Sequence, residues 1–265
     1  MARTTNLTDF LTDVADAIRE KKGTQETIQA SNFDTEIENL PSGGGGLDWS
    51  AIGYNGMPQA IKDGYDYAVE IKNNWVPDSN LRNKFDNDLN LKIMPLVDTS
   101  IATDMYGMFE NTKGLAQIPL LDTSSVTNMG YMFCNSGIST IPLLDTSNVT
   151  DMTSMFDKSN ILTIPLLNTS KVKNMSYMFY NSNIPTIPLL DTSSVTNMSY
   201  MFYNAGSLTD ESLDNILQMC INATSYTKTK TLYQLGFRSV RYTASKIQAL
   251  PHYQDFLDAG WTIGY

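Results

Sequence analysis

The chain has 265 residues, with 18 Lys+Arg against 28 Asp+Glu, one His and two Cys, for a formal charge of −10. So acidic a chain lacks the basic face that a nucleic-acid binder or a polybasic membrane clamp needs, and neither nucleic-acid binding nor membrane insertion is expected. One histidine rules out a His-rich zinc site, two cysteines rule out a disulfide framework, and 42% apolar content argues against wholesale disorder.

The opening residues, Met1 to Phe10, are polar and show no signal peptide. No run approaches the roughly 18 apolar residues of a spanning helix. Leu7, Phe10, Leu11, Val14 and Ile18 recur at i, i+3, i+4, i+7 and i+11, the apolar stripe of a helix. Asn6 caps it, Lys21 and Lys22 sit in its last turn, and Gly23 stops it. A second short helix is expected over Asn32 to Leu40, with Ser31 as cap and Phe33, Ile37 and Leu40 on one side. Two such helices bury too little to stand alone. Residues 1–40 therefore read as a helical docking region whose stripes want a partner, either copies of the chain or another protein. Residues 41–46, Pro-Ser followed by four glycines, read as a flexible linker.

Residues 47–92 read as an N-terminal cap plus a degenerate repeat. A helix is predicted over Gln59 to Trp75, with Ile61, Tyr65, Ala68 and Ile71 on one face and Pro77 beyond its end.

From residue 93 to 206 the chain repeats itself. The phrase Thr140-Ile141-Pro142-Leu143-Leu144-Asp145-Thr146-Ser147 returns with its proline at 95, 119, 142, 165 and 188, steps of 24, 23, 23 and 23. A second phrase, Val195-Thr196-Asn197-Met198-Ser199-Tyr200-Met201-Phe202, places its phenylalanine at 109, 133, 156, 179 and 202, and Phe85 begins the series. Ten of the 14 methionines are the Met-x-x-Met-Phe pairs from Met105/Met108 to Met198/Met201. Val195, Met198, Met201 and Phe202 lie at i, i+3, i+6 and i+7, which reads as one face of a short helix. Ile-Pro-Leu-Leu reads as a brief strand whose proline avoids the ladder. Each repeat is expected to bury Ile141, Leu143, Val149, Met152, Met155, Phe156 and their equivalents. One repeat cannot fold alone, so neighbours must share faces. A strand and helix in 23 residues predict an α/β solenoid of leucine-rich-repeat size.

Asp98, Asp122, Asp145, Asn168 and Asp191 form a column. Asn168 keeps the shape without the charge, so the common property is an acceptor oxygen for backbone N–H groups. A calcium ladder is the alternative.

Residues 207–265 lose the period and read as a helical C-terminal cap. Leu213, Ile216, Leu217, Cys220 and Ile221 mark an amphipathic helix with Thr209 or Asp210 as N-cap. A shorter helix ends near Gly236, a third covers about 243–258 with a break before Pro251, and Gly260 is its stop.

The phrase Leu190-Asp191-Thr192-Ser193-Ser194-Val195-Thr196-Asn197-Met198-Ser199-Tyr200-Met201-Phe202 resembles the BspA-like, or treponemal-type, leucine-rich repeat over about 81–206. That resemblance implies a surface-exposed adhesion module, with binding rather than catalysis. Leu11-Thr12-Asp13-Val14-Ala15-Asp16-Ala17-Ile18-Arg19-Glu20-Lys21-Lys22-Gly23, with Phe33-Asp34-Thr35-Glu36-Ile37, is similar to the start of virion proteins from phages and prophages of Gram-positive bacteria. Tyr253-Gln254-Asp255-Phe256-Leu257-Asp258-Ala259-Gly260-Trp261-Thr262 is similar to the tails of phage-encoded repeat proteins. These likenesses imply a virion structural protein of the tail, baseplate or head. It would dock to other virion proteins and to its own copies through residues 1–40, and contact a host-surface glycan or protein. A bacterial surface adhesin and a wall-glycan hydrolase are the alternatives.

Tyr131, Tyr177, Tyr180, Tyr200 and Tyr203 lie beside the Met-Phe positions, followed by Asn135, Asn181 or Asn204. They are the candidate exposed ladder for a ligand, since tyrosine offers flat area with a polar tip. Gly107, Glu110, Ser154 and Asp157 interrupt it. The tetraglycine has no following Lys-Ser/Thr and is no phosphate loop. His252 follows Pro251 in the helical tail and reads as a surface or packing residue. No catalytic set, cofactor or metal is expected.

Overall fold

Every 23 residues the backbone returns to the same place one layer further along. The computed structural model describes residues 59–264 except 207 and 238–241. The docking residues Leu7, Phe10, Leu11, Val14, Ile18, Phe33, Ile37 and Leu40 and the linker lie outside the described residues.

The expected α/β solenoid of leucine-rich repeats is not what forms. Among the described residues from 76 to 209 there is no α-helix, and pairing between layers reduces to isolated parallel bridges. These join Asn80, Asp104, Asn128, Asp151, Asn174 and Asn197 in one column. The Met-Phe phrase is a run of overlapping turns. The amides of Met132, Cys134 and Ser136 donate back to the carbonyls of Met129, Tyr131 and Phe133 at 2.9–3.3 Å. The alternate amides, of Met129, Tyr131, Phe133 and Asn135, donate to Asp151, Thr153, Met155 and Asp157 of the next layer at 2.7–3.0 Å. An α-helix would send all of these amides four residues back.

The reason is local. Each layer holds two residues four apart at positive φ, such as Tyr200 at 56° and Asn204 at 55°. A residue of that hand ends a right-handed helix, and it sits where the third residue of a type II turn needs it. The Ile-Pro-Leu-Leu segment makes no strand either. Proline lacks an N–H, and the amide of Leu144 turns back to its own Pro142 carbonyl at 2.9 Å.

The interior is nonetheless shared. Phe85, Phe109, Phe133, Phe156, Phe179 and Phe202 are buried and stack at 5.7–5.8 Å, within 10° of parallel. The paired methionines and Val126, Val149, Val172 and Val195 surround that column and are buried as well. Leu143 is a correction: it stands 63% exposed and its neighbour Leu144 is buried instead. Two adjacent leucines give the pattern no phase, and the turn puts the second one inside.

Side chains stitch the layers where strands would have done so. Thr99, Thr123, Thr146 and Thr169 are buried, and their hydroxyls donate to the carbonyls of Asp122, Asp145, Asn168 and Asp191 at 2.8–2.9 Å. Those acids and their relatives are turn acceptors as expected. Oδ1 of Asp98, Asp122, Asp145, Asn168 and Asp191 accepts the N–H of the serine two residues on at 2.9–3.2 Å. The backbone N–H and then the hydroxyl of Ser100 and Ser147 hold the carboxyls of Asp98 and Asp145 below the usual carboxylate range, and the hydroxyl and then the N–H of Ser193 do so for Asp191. Among the described residues no acid, His or Cys cluster could hold a metal.

Both ends are covered. α1 (Gln59–Asn73) precedes Trp75, which stacks on Phe85 at 6.2 Å. At the far end α2 (Asp210–Asn222) takes the place of a next layer. Thr209 caps it by accepting the Ser212 N–H, and the Ser212 hydroxyl in turn accepts the Ile187 N–H at 2.9 Å. Asn215 donates to the Ile187 carbonyl at 3.0 Å. The expected helix before Gly236 is a turn closed by that glycine at φ 99°. The span predicted over 243–258 divides into α3 (Ala244–Gln248) and α4 (Tyr253–Asp258). Fully buried Trp261 packs between Tyr226 and Phe256. Among the described residues no helix is long and apolar enough to cross a membrane.

Candidate functional site

The overlapping turns present one side of each layer to solvent. The position at the first left-handed residue runs Asn83, Gly107, Tyr131, Ser154, Tyr177 and Tyr200. The position after each core phenylalanine runs Asp86, Glu110, Cys134, Asp157, Tyr180 and Tyr203. The position after that runs Asn87, Asn111, Asn135, Lys158, Asn181 and Asn204, all at positive φ. Three adjacent columns therefore make one face.

The predicted tyrosines meet on it. Tyr177 stacks on Tyr200 at 5.3 Å and Tyr180 on Tyr203 at 4.8 Å. Tyr177 also meets Tyr180 at 5.5 Å, and Tyr200 meets Tyr203 edge-on at 6.2 Å. The four rings form a square, two layers by two columns. Tyr177 is exposed and the other three are half-buried. Burial and the neighbouring phenols raise the Tyr177 hydroxyl above its usual pKa, so it remains a neutral donor and acceptor.

Tyr131 belongs to a second group. It lies 5.1 Å from Tyr106, over which the Arg82 guanidinium sits at 4.1 Å. Arg82 is held by Asp104 at 3.0 Å. Buried Ser154 stands in the tyrosine position between the two aromatic groups. Asp157, whose N–H donates to the Ser154 carbonyl at 3.1 Å, is 8% exposed, with Oδ1 bonded to nothing and Lys158 at 3.8 Å from Oδ2. Burial pushes the carboxyls of Asp157 and Glu110 above their ordinary range.

The asparagines have a different part. Asn135 donates to Asn111 Oδ1 at 2.6 Å, Asn111 to Asp86 at 3.1 Å, and Asn204 to Asn181 at 3.1 Å. Their amides form two short ladders, Asp86–Asn111–Asn135 and Asn181–Asn204, with Lys158 between them. Tyr106, Arg82 and Lys158 join this face without having been singled out in the sequence. Tyr106 follows a column of turn acceptors, Asp104, Asn128, Asp151, Asn174 and Asn197, each accepting the N–H two residues on at 2.8–3.1 Å. The recurring Asn/Asp two residues after Ala102, Val126, Val149, Val172 and Val195 was the signal for that column.

The remaining reactive groups are built into the packing. Cys134 and Cys220 are buried and free, and burial pushes the Cys134 thiol up to about 12 and the Cys220 thiol further. A thiol that stays protonated is a poor nucleophile. His252 Nδ1 lies 2.7 Å from Asp214 Oδ2, and its backbone N–H reaches Oδ1 of the same residue at 3.0 Å, tying α4 to α2.

No curated protein and no solved structure matches the chain. A family model matches twice, over residues 79–183 and 138–235, which is the layered region and the start of its C-terminal cover. That match carries no phage, virion, tail or head-fibre description, and with the solenoid absent from the fold the expectation of a phage tail or head protein does not hold. Since the two matches together span more than half of the sequence, the chain belongs to the family described as Mycoplasma protein of unknown function, DUF285.

Proposed function

We propose that the protein is a non-catalytic attachment module, and that the turn face carrying Tyr106, Tyr131, Tyr177, Tyr180, Tyr200 and Tyr203 engages a glycan or protein of a cell surface. One observation carries this reading. Tyr131, Tyr177 and Tyr200 occupy backbone sites at φ 56–59°, where the equivalent residues of the other layers are the small Asn83, Gly107 and Ser154. A bulky L-residue there costs about 1–2 kcal/mol that glycine avoids. Folding alone favours glycine, so tyrosine at three layers supports a use for the ring itself. Strain of this kind gathers at functional sites. Aromatic rings with polar tips, rigid and half-exposed, suit recognition of sugar faces and of protein surfaces alike.

The test is retention of the purified protein on intact bacterial cells and on their isolated wall glycan, before and after protease treatment of the cells. The reading predicts binding that the double variant Tyr177→Ala/Tyr200→Ala weakens at least about thirtyfold, as loss of a hot-spot pair does, without lowering the melting temperature. Equal retention of that variant, or no binding to cells or wall, contradicts it.

A further inference from the structure

The layer between the two aromatic groups breaks the pattern of the face once more. At the second left-handed position the other layers carry Asn87, Asn111, Asn135, Asn181 and Asn204, and this layer carries Lys158 at φ 54°. Asparagine is among the side chains that best tolerate that backbone, and here it would also have joined the two amide ladders into one. Lysine has neither advantage. Folding alone disfavours it, so its ammonium calls for another explanation.

Pairing with the neighbouring carboxylate does not supply one. Lys158 Nζ lies 3.8 Å from Asp157 Oδ2, beyond hydrogen-bond distance, and its side chain stays 55% exposed. An exposed pair of that length stabilises little, and Asp157 Oδ1 is left bonded to nothing. The side chain reaches instead toward the next layer. Nζ sits 5.9 Å from the centre of the Tyr180 ring, within the range of a cation–π contact. That ring is one corner of the square made with Tyr177, Tyr200 and Tyr203.

Charge on the face divides at this residue. The carboxylates lie in its own and the earlier layers. Asp104 is held by Arg82 at 3.0 Å, Asp86 accepts the Asn111 amide, and Asp151 accepts the N–H and hydroxyl of Thr153. Glu110 is two layer steps from Lys158, about 10 Å, where salt already screens it. In the two later layers the corresponding positions are asparagine, serine and tyrosine, all uncharged. Lys158 is thus a cation at the border of a neutral aromatic platform.

We propose that Lys158 makes the tyrosine face selective for an anionic glycan, its ammonium meeting a carboxylate or phosphate while the four tyrosines hold the adjoining sugar. This rests on the reading of that face as an attachment surface. Size favours a glycan over a protein. Three of the four rings are half-buried, so the square offers far less than the about 800 Å² per partner of a standard protein interface. A sugar needs only a platform of its own size.

The test is retention of the full chain on immobilised polygalacturonate, which presents carboxylates, on a glycerol-phosphate teichoic polymer, which presents phosphates, and on neutral dextran. At least one acidic polymer should hold the protein about tenfold or more above dextran, and salt should weaken that binding. Lys158→Asn should lower it at least about tenfold without lowering the melting temperature, and Lys158→Arg should retain most of it. Retention on dextran equal to that on both acidic polymers, or on none of the three, overturns the proposal. Cell binding that protease abolishes, with no polymer retained, points to a protein ligand and overturns it too. If Lys158→Asn changes nothing while Tyr177→Ala/Tyr200→Ala removes binding, the selectivity falls and the attachment reading stands. If neither variant changes retention, both fall.

Discussion

At the scale of single residues, the protein is governed by positions of positive φ. Asparagine tolerates them better than most residues, and the asparagine column uses that tolerance twice, for the turn and for the amide ladder. Asn181→Ala should therefore lower stability by about 1–2 kcal/mol, or roughly 2–8 °C in melting temperature, while Asn181→Gly should cost less. Thermal unfolding of the two variants checks this. Asp157 makes the opposite contribution. Its carboxyl is raised by burial, so the folded state holds that proton more tightly than the unfolded chain does. Ionised Asp157 thus destabilises the fold at neutral pH, and the penalty fades as pH falls through the raised pKa toward the ordinary value near about 4. Asp157→Asn should raise the melting temperature by a few degrees at pH 7 and by little at pH 4. A gain that is equal at both pH values would place the cause elsewhere.

Among the elements, the turns explain both what could be read in the sequence and what could not. The 23-residue period, the buried Met, Phe and Val columns and the Asp-x-Ser acceptors were legible, because each depends on residue type recurring at a fixed interval. The cap of α2 was legible as Thr209 or Asp210, and the structure selects Thr209, whose extended backbone lets its hydroxyl accept the Ser212 N–H. Thr209→Ala should cost about 1 kcal/mol, seen as a lower melting temperature with α2 still formed in the circular dichroism spectrum. The helix expected for Val195, Met198, Met201 and Phe202 was misleading because inward positions at i, i+3, i+6 and i+7 fit overlapping turns as well as a helix. The discriminating signal was the pair of left-handed sites, visible as Gly107 in one layer and hidden under tyrosine in three others. The exposed leucine of each Leu-Leu pair was equally hidden. The tyrosine face was half visible: its rings recur with the period, whereas Arg82 and Tyr106 occur once and depend on the layers being stacked.

For the molecule as a whole, the decisive feature is that each layer's hydrogen bonds and rings are completed by the next. Phe156 sits between Phe133 and Phe179 at 5.8 and 5.7 Å, so its loss creates a cavity bordered by three layers. Phe156→Ala should cost about 3–5 kcal/mol and shift one unfolding transition rather than split it. Hydrogen exchange of the full chain, resolved by residue, is the most direct test of that shared interior. In the wild type the amides of Met129, Tyr131, Phe133 and Asn135 and their equivalents in residues 102–204 should exchange with similar, high protection, and Phe156→Ala should lower that protection in the neighbouring layers as well as its own. Protection that falls only within the substituted layer, with the others untouched, would show independent beads and contradict the account.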